Sequence, residues 1–114
     1  MDNNTFLSWE DFTKVEMRVG TVISSEVFSE ARKPAYKMTI DFGPLGIRKT
    51  SAQICNLYSA DDTVGKQVIA VVNFPPKQIA NIMSECLVLG VIGVGNSVTL
   101  LQPERPVANG SLIG

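Results

Sequence analysis

Histidine is absent from the 114 residues, which removes the commonest general base and the commonest metal ligand. Cys55 and Cys86 are far apart and show no CxxC spacing, so they make no zinc site. Both sit in or beside apolar runs, where a thiol behaves as a small hydrophobe, and a reduced, disulfide-free protein is expected. Gly90, Gly93 and Gly95 are spaced wrongly for either glycine-rich phosphate loop. The carboxylate pair Asp61-Asp62 stands in Ser-Ala-Asp-Asp-Thr-Val-Gly, the composition of a polar turn. No nucleophile–base set can be assembled from these residues, and no cofactor is called for. The chemistry on offer is binding rather than catalysis.

Three groups of residues could do the binding. The first is basic: Arg32 and Lys33 with Lys37, and across a strand pair Arg48 and Lys49, together half of the ten lysines and arginines. They form either one local positive patch or a set of solvated loop charges. The second is Thr50-Ser51-Ala52-Gln53, whose hydroxyls and amide, with Ser51 and Gln53 on one strand face, could pair with an extended peptide backbone or with RNA sugar and base edges. The third is Asn73-Phe74-Pro75-Pro76 with Met83 and Ser84. Phe74 and Met83 offer adaptable apolar surface, Asn73 could hold an extended backbone from both ends of its amide, and the alternative is that Phe74 packs in the core while the prolines shape a turn. Net charge is −1, whereas a generic nucleic-acid binder should be strongly basic. Any nucleic-acid contact must therefore rest on a local patch.

These groups must be carried by a frame, and the frame reads as β-structure. Val68 to Val72 is a short β-branched run of the buried-strand type, stopped by Pro75 and Pro76, which cannot donate to a ladder. Cys86 to Leu89 is a second such run, ended by Gly90. Val15, Met17 and Val19 alternate with charged residues, and Gly20 marks a bulge or barrel bend in the strand that continues to about Phe28. Tyr36, Met38, Ile40 and Phe42 alternate most cleanly, a turn follows over Gly43 to Gly46, Ile47 to Ile54 forms a more polar strand, and Val98 to Leu101 a last short one. The segment from Cys55 to Gly65 is an irregular or briefly helical connection, and Val107 to Gly110 a terminal turn. Ser8 can cap a helical turn through Trp9 to Phe12, whose aromatics either plug the core or anchor a subunit interface. Residues 1–7 read as a loose arm. Five main strands in one domain of this length fit an all-β, five-stranded OB-fold Greek-key barrel with a short helical N-terminal turn.

No apolar run approaches 18 residues, so no membrane span is expected, and the opening MDNNTFLSWEDF has no apolar core of a secretion signal. Charged residues are only 18% of the chain, which leans towards oligomerisation.

Several segments together resemble the CsaA family, secretion-associated chaperones of the EMAP-II-like tRNA-binding OB-fold superfamily. They are Met17-Arg18-Val19-Gly20-Thr21-Val22, Ala31-Arg32-Lys33-Pro34-Ala35, Thr50-Ser51-Ala52-Gln53-Ile54, Val72-Asn73-Phe74-Pro75-Pro76 and Ser84-Glu85-Cys86-Leu87, in a resemblance that runs from about residue 9 onwards. It implies a cytoplasmic homodimer that binds unfolded or pre-secretory polypeptides without ATP and works with the secretion motor ATPase. The alternative it carries is structure-specific tRNA binding. In the stronger tRNA binders of the superfamily the segment matching Ser84 to Leu87 reads Ser-x-Gly-Met, so Cys86 and Leu87 depart from the pattern and count against tight tRNA affinity.

Overall fold

The computed structural model describes residues 5–114; the first four residues of the expected loose arm lie outside the described residues. Ser8 caps the first helix as expected. Its hydroxyl accepts the Asp11 N–H at 3.0 Å, and α1 runs Trp9–Thr13. The chain then enters its longest strand, β1 (Met17–Val27), followed by β2 (Tyr36–Asp41) and β3 (Ile47–Ala52). Alternation drives β2: Tyr36, Met38 and Ile40 point into the core while Lys37, Thr39 and Asp41 face outwards. A short helix, α2 (Ala60–Thr63), crosses to β4 (Gln67–Val71).

The sheet order β3-β2-β1-β4 is a Greek key, since the fourth strand returns to lie beside the first. A short β7 (Leu87–Val88) adds to β4. The barrel comes close to sealing where the Glu85 N–H donates to the Lys49 carbonyl of β3 at 2.8 Å. The architecture is thus the expected all-β OB-type barrel. Val22, Met38, Ile40, Phe42, Val68 and Ala70 fill it.

One strand serves two neighbours. The first half of β1 pairs with β4 and its second half with β2. The bend between them needs Gly20 for space: a Cβ there would lie 2.6 Å from Ile40 Cγ2 and 2.8 Å from the Phe42 ring. The bulge itself falls later, at the register shift between Val22 and Ser24.

Four strands go unread in the sequence. β5 (Lys77–Ile79) and β6 (Ile82–Ser84) form a hairpin in what reads as a polar loop. β8 (Gly90–Ile92) pairs with the expected last strand, β9 (Val98–Leu100). β10 (Leu112–Ile113) follows the expected terminal turn and pairs with the start of β1. Among the described residues, no helix is long and apolar enough to cross a membrane.

Candidate binding groove

The loop between β1 and β2 carries Arg32 and Lys33, and the end of β3 carries Ser51, with Gln53 just beyond it. The barrel brings these four to one surface groove of about 840 Å³. The β5 end of the β5–β6 hairpin supplies the facing wall through Lys77, Gln78 and Ile79. Next to it lies an apolar hollow of about 260 Å³ walled by Phe74, Pro75, Cys86 and Leu87, with Ser84 at its edge. Lys77 lines both. On the other side, Lys33 and Gln53 open into a third hollow of about 400 Å³ that also holds Ile92 and Val98. The three share residues and form one trough across the outside of the barrel.

The five-residue basic patch divides. Arg48 turns inward and its guanidinium donates to the Val72 carbonyl at 2.7 Å. The Lys37 ammonium lies 3.4 Å from the Glu26 carboxylate and 5.4 Å from the centre of the Phe28 ring. Lys49 is exposed on β3 but outside the trough, and its backbone N–H donates to the Glu85 carboxylate at 2.9 Å. Arg32 and Lys33 remain, joined by Lys77; none of the three makes an ion pair among the described residues. Glu30 is the one carboxylate in the groove, so the local balance is positive on a chain of net charge −1.

Asn73 does grip an extended backbone from both ends of its amide, but the backbone is its own chain's. Its oxygen accepts the Glu16 N–H at 3.0 Å and its nitrogen donates to the Lys14 carbonyl at 2.7 Å. Phe74 is 55% exposed, so it forms the wall of the hollow rather than part of the core. Met83 is half exposed on β6 but lines neither hollow. The Ser84 hydroxyl lies 3.0 Å from that of the fully buried Thr50, which donates to the Cys86 carbonyl at 2.7 Å. Ser84 therefore belongs to an internal network under the hollow as much as to its surface.

Cys55 and Cys86 are both free. Burial pushes the Cys86 thiol up to about 11, against smaller opposing effects of the Thr50 hydrogen bond and the Arg48 charge. It stays protonated and inert as a wall residue. Burial likewise raises the Tyr36 phenol, with further contributions from Cys55 and Asp62; its hydroxyl donates to the Tyr58 carbonyl at 2.6 Å. The Asp61-Asp62 pair caps α2: Asp62 accepts the Ser59 N–H while Ser59 accepts that of Asp62.

Sequence reasoning passed over Lys77 and Gln78 as site residues. A partial signal was there, since Ile79 matches Ile82 and Lys77 matches Ser84 across the two-residue turn Ala80-Asn81, but Gln78 faces Met83 and the turn lacks the glycine that usually marks a tight hairpin.

Comparison with known proteins bears on this surface. The family described as "Putative tRNA binding domain" matches residues 17–112. The chaperone CsaA of Bacillus anthracis is 47% identical, with a TM-score of 0.91 over 96% of this chain and 99% of that one. The CsaA chaperone protein of Picrophilus torridus is 48% identical, with a TM-score of 0.89 over 96% of this chain and 100% of that one. A methionine–tRNA ligase of Porphyromonas gingivalis is 36% identical over 94% of this chain but only 15% of its own length. The chain spans about a sixth of the methionine–tRNA ligases it matches, 16% of that of Methanococcoides burtonii.

Proposed function

The chain belongs to the CsaA branch of the tRNA-binding-domain family, and from that premise we propose that it is an ATP-independent chaperone that holds unfolded or pre-secretory polypeptide segments in the trough. The observation that carries the reading is the joining of an exposed apolar hollow to a polar groove through one residue, Lys77. Extended polypeptide needs both: shallow apolar pockets for side chains, and hydroxyl, amide and ammonium groups for the backbone between them. The residues proposed to carry it are Arg32, Lys33, Ser51, Gln53, Phe74, Lys77 and the edge formed by Ser84. In this reading the protein is cytoplasmic, works as a homodimer, and hands its clients to the secretion motor ATPase.

A second reading, tRNA binding, draws on the family match over residues 17–112 and on the three unpaired cations of the groove. Salt separates the two. For tRNA, log affinity should fall with log salt at roughly 0.7–0.9 per neutralised phosphate; binding anchored in an apolar hollow should change little. The test is titration of labelled pre-secretory peptide and labelled total tRNA at low and physiological salt. Peptide binding that tolerates salt and is lost in Phe74→Ala supports the chaperone. Steep salt-sensitive tRNA binding, lost in a double Arg32→Ala/Lys33→Ala variant and unaccompanied by a peptide signal, replaces it with the second reading.

A further inference from the structure

The chemistry of the trough changes along its length. Phe74, Pro75 and Leu87 make one end apolar. Ser51 and Gln53 lie in the middle, with Arg32 and Lys33 from one loop and Lys77 from the hairpin. At the other end Ile92 and Val98 stand among Lys33, Gln53, Asn56 and Asn96, so apolar and polar groups mix there. The order is apolar, basic, mixed.

We infer that this trough selects extended polypeptide segments in which apolar residues adjoin an acidic centre, an inference that rests on the polypeptide-binding reading above. Three cations face the centre against the single carboxylate of Glu30. Four of the other basic side chains are neutralised locally, Lys14 by Asp11, Arg18 by Glu16, Lys37 by Glu26 and Arg105 by Glu104. Arg32, Lys33 and Lys77 have no such partner among the described residues, so an acidic ligand meets charges not already committed. In an extended chain alternate side chains share one face, so acidic residues two apart can reach the cationic walls together. A lysine-rich centre would set like charges against the same three groups. The apolar end supplies most of the affinity, and the charges supply the discrimination. Nucleic acid fits the order less well: its backbone charge is uniform, and the hollow offers a single aromatic ring, Phe74, where single-strand binders use several for stacking.

The probes are fluorescein-labelled peptides with identical Leu/Val flanks, differing only in a centre of Asp/Glu, Asn/Gln or Lys. For the wild-type chain the expected ranking is acidic, then amide, then basic, with about twofold per exposed charge pair and five- to tenfold between the extremes at low salt. High salt should collapse the ranking towards the affinity of the amide peptide. Lys77→Glu should flatten or invert it. Arg105→Glu makes the same charge change in a different cleft and should leave the ranking alone. Equal affinity for acidic and amide peptides in the wild-type chain overturns the inference while leaving the chaperone reading in place. So does a ranking that high salt or Lys77→Glu leaves untouched. Should none of the peptides bind while labelled tRNA does, both the inference and the reading fall. The wild-type salt series stands without any variant, so a misfolded Lys77→Glu cannot shelter the claim.

Discussion

Gly20 shows how one residue can set the geometry of the barrel. Its neighbours Ile40 and Phe42 are fully buried, so a methyl group at 2.6–2.8 Å from them has nowhere to go without moving the core. Gly20→Ala should therefore cost about 1–3 kcal/mol, as overpacking does, read as a lower denaturant midpoint at unchanged slope; an unaltered midpoint would mean that the bend yields. Asn73 makes a different kind of prediction. Because both ends of its amide are spent on the backbone of Lys14 and Glu16, Asn73→Ala should lower stability by about 1–2 kcal/mol and speed hydrogen exchange at Glu16, with peptide affinity little changed. A variant of full stability and lost affinity would return Asn73 to the binding surface. Cys86 sets a pH dependence. Its ordinary value is 9.0 and the folded chain holds it near 11, so the unfolded chain releases the proton first. Stability is fully present below about pH 9 and declines as pH rises towards 11. Tyr36 adds a decline of the same sign at the upper end. The slope should be shallower in Cys86→Ala, and a stability that rises across this window would contradict the burial of the thiol.

At the scale of elements, the β5–β6 hairpin places the wall of the groove, and its turn is strained. Ala80 has φ of 49°, a region that costs a residue with a side chain about 1–2 kcal/mol. Ala80→Gly should relieve more than glycine adds in unfolded-state entropy, raising stability by about 0.5 kcal/mol; a fall in the denaturant midpoint would show that Ala80 earns its place by packing. This strained turn also explains what sequence could and could not reveal. Alternation exposed β1 and β2, because six or more residues half-buried against a core leave a period of two. The β-branched run exposed β4. The hairpin strands have three residues each, too few for a period, and their turn lacks the glycine or asparagine–glycine pair that announces one. β8 hides for the opposite reason: Val91, Ile92 and Val94 are apolar on every side, so no face stands out. The site shares this history. Arg32, Lys33, Ser51 and Gln53 were legible from residue type. Nothing local in Arg48 or Lys37 told that one would satisfy the Val72 carbonyl and the other Glu26, since those partners are brought near only by the closed sheet.

For the whole molecule, α1 and β10 come together at one face. Leu112 and Ile113 of β10 border a hollow of about 350 Å³ with Phe12, Val15 and Arg18, and Trp9 of α1 is 87% exposed. Of the two roles open to Trp9, the core plug is gone. Phe6 and Leu7, just before α1 in the chain, are also well exposed. Exposed aromatic and aliphatic residues on a chain with few charges are what a subunit interface needs, and two copies related by a twofold axis could each place Trp9 against the other's terminal face. A buried tryptophan at the centre of such a contact is typically worth at least about 2 kcal/mol. Trp9→Ala should thus weaken self-association by about thirtyfold or more, while Ile92→Ser, on the far hairpin, should not. Sedimentation across a concentration series reads both. A wild-type species of only 12.4 kDa, the mass of one chain, at micromolar concentration would rule out the dimer. A dimer lost in Ile92→Ser but kept in Trp9→Ala would move the interface to the hairpin that closes one end of the trough, and client binding would then compete with assembly instead of being independent of it.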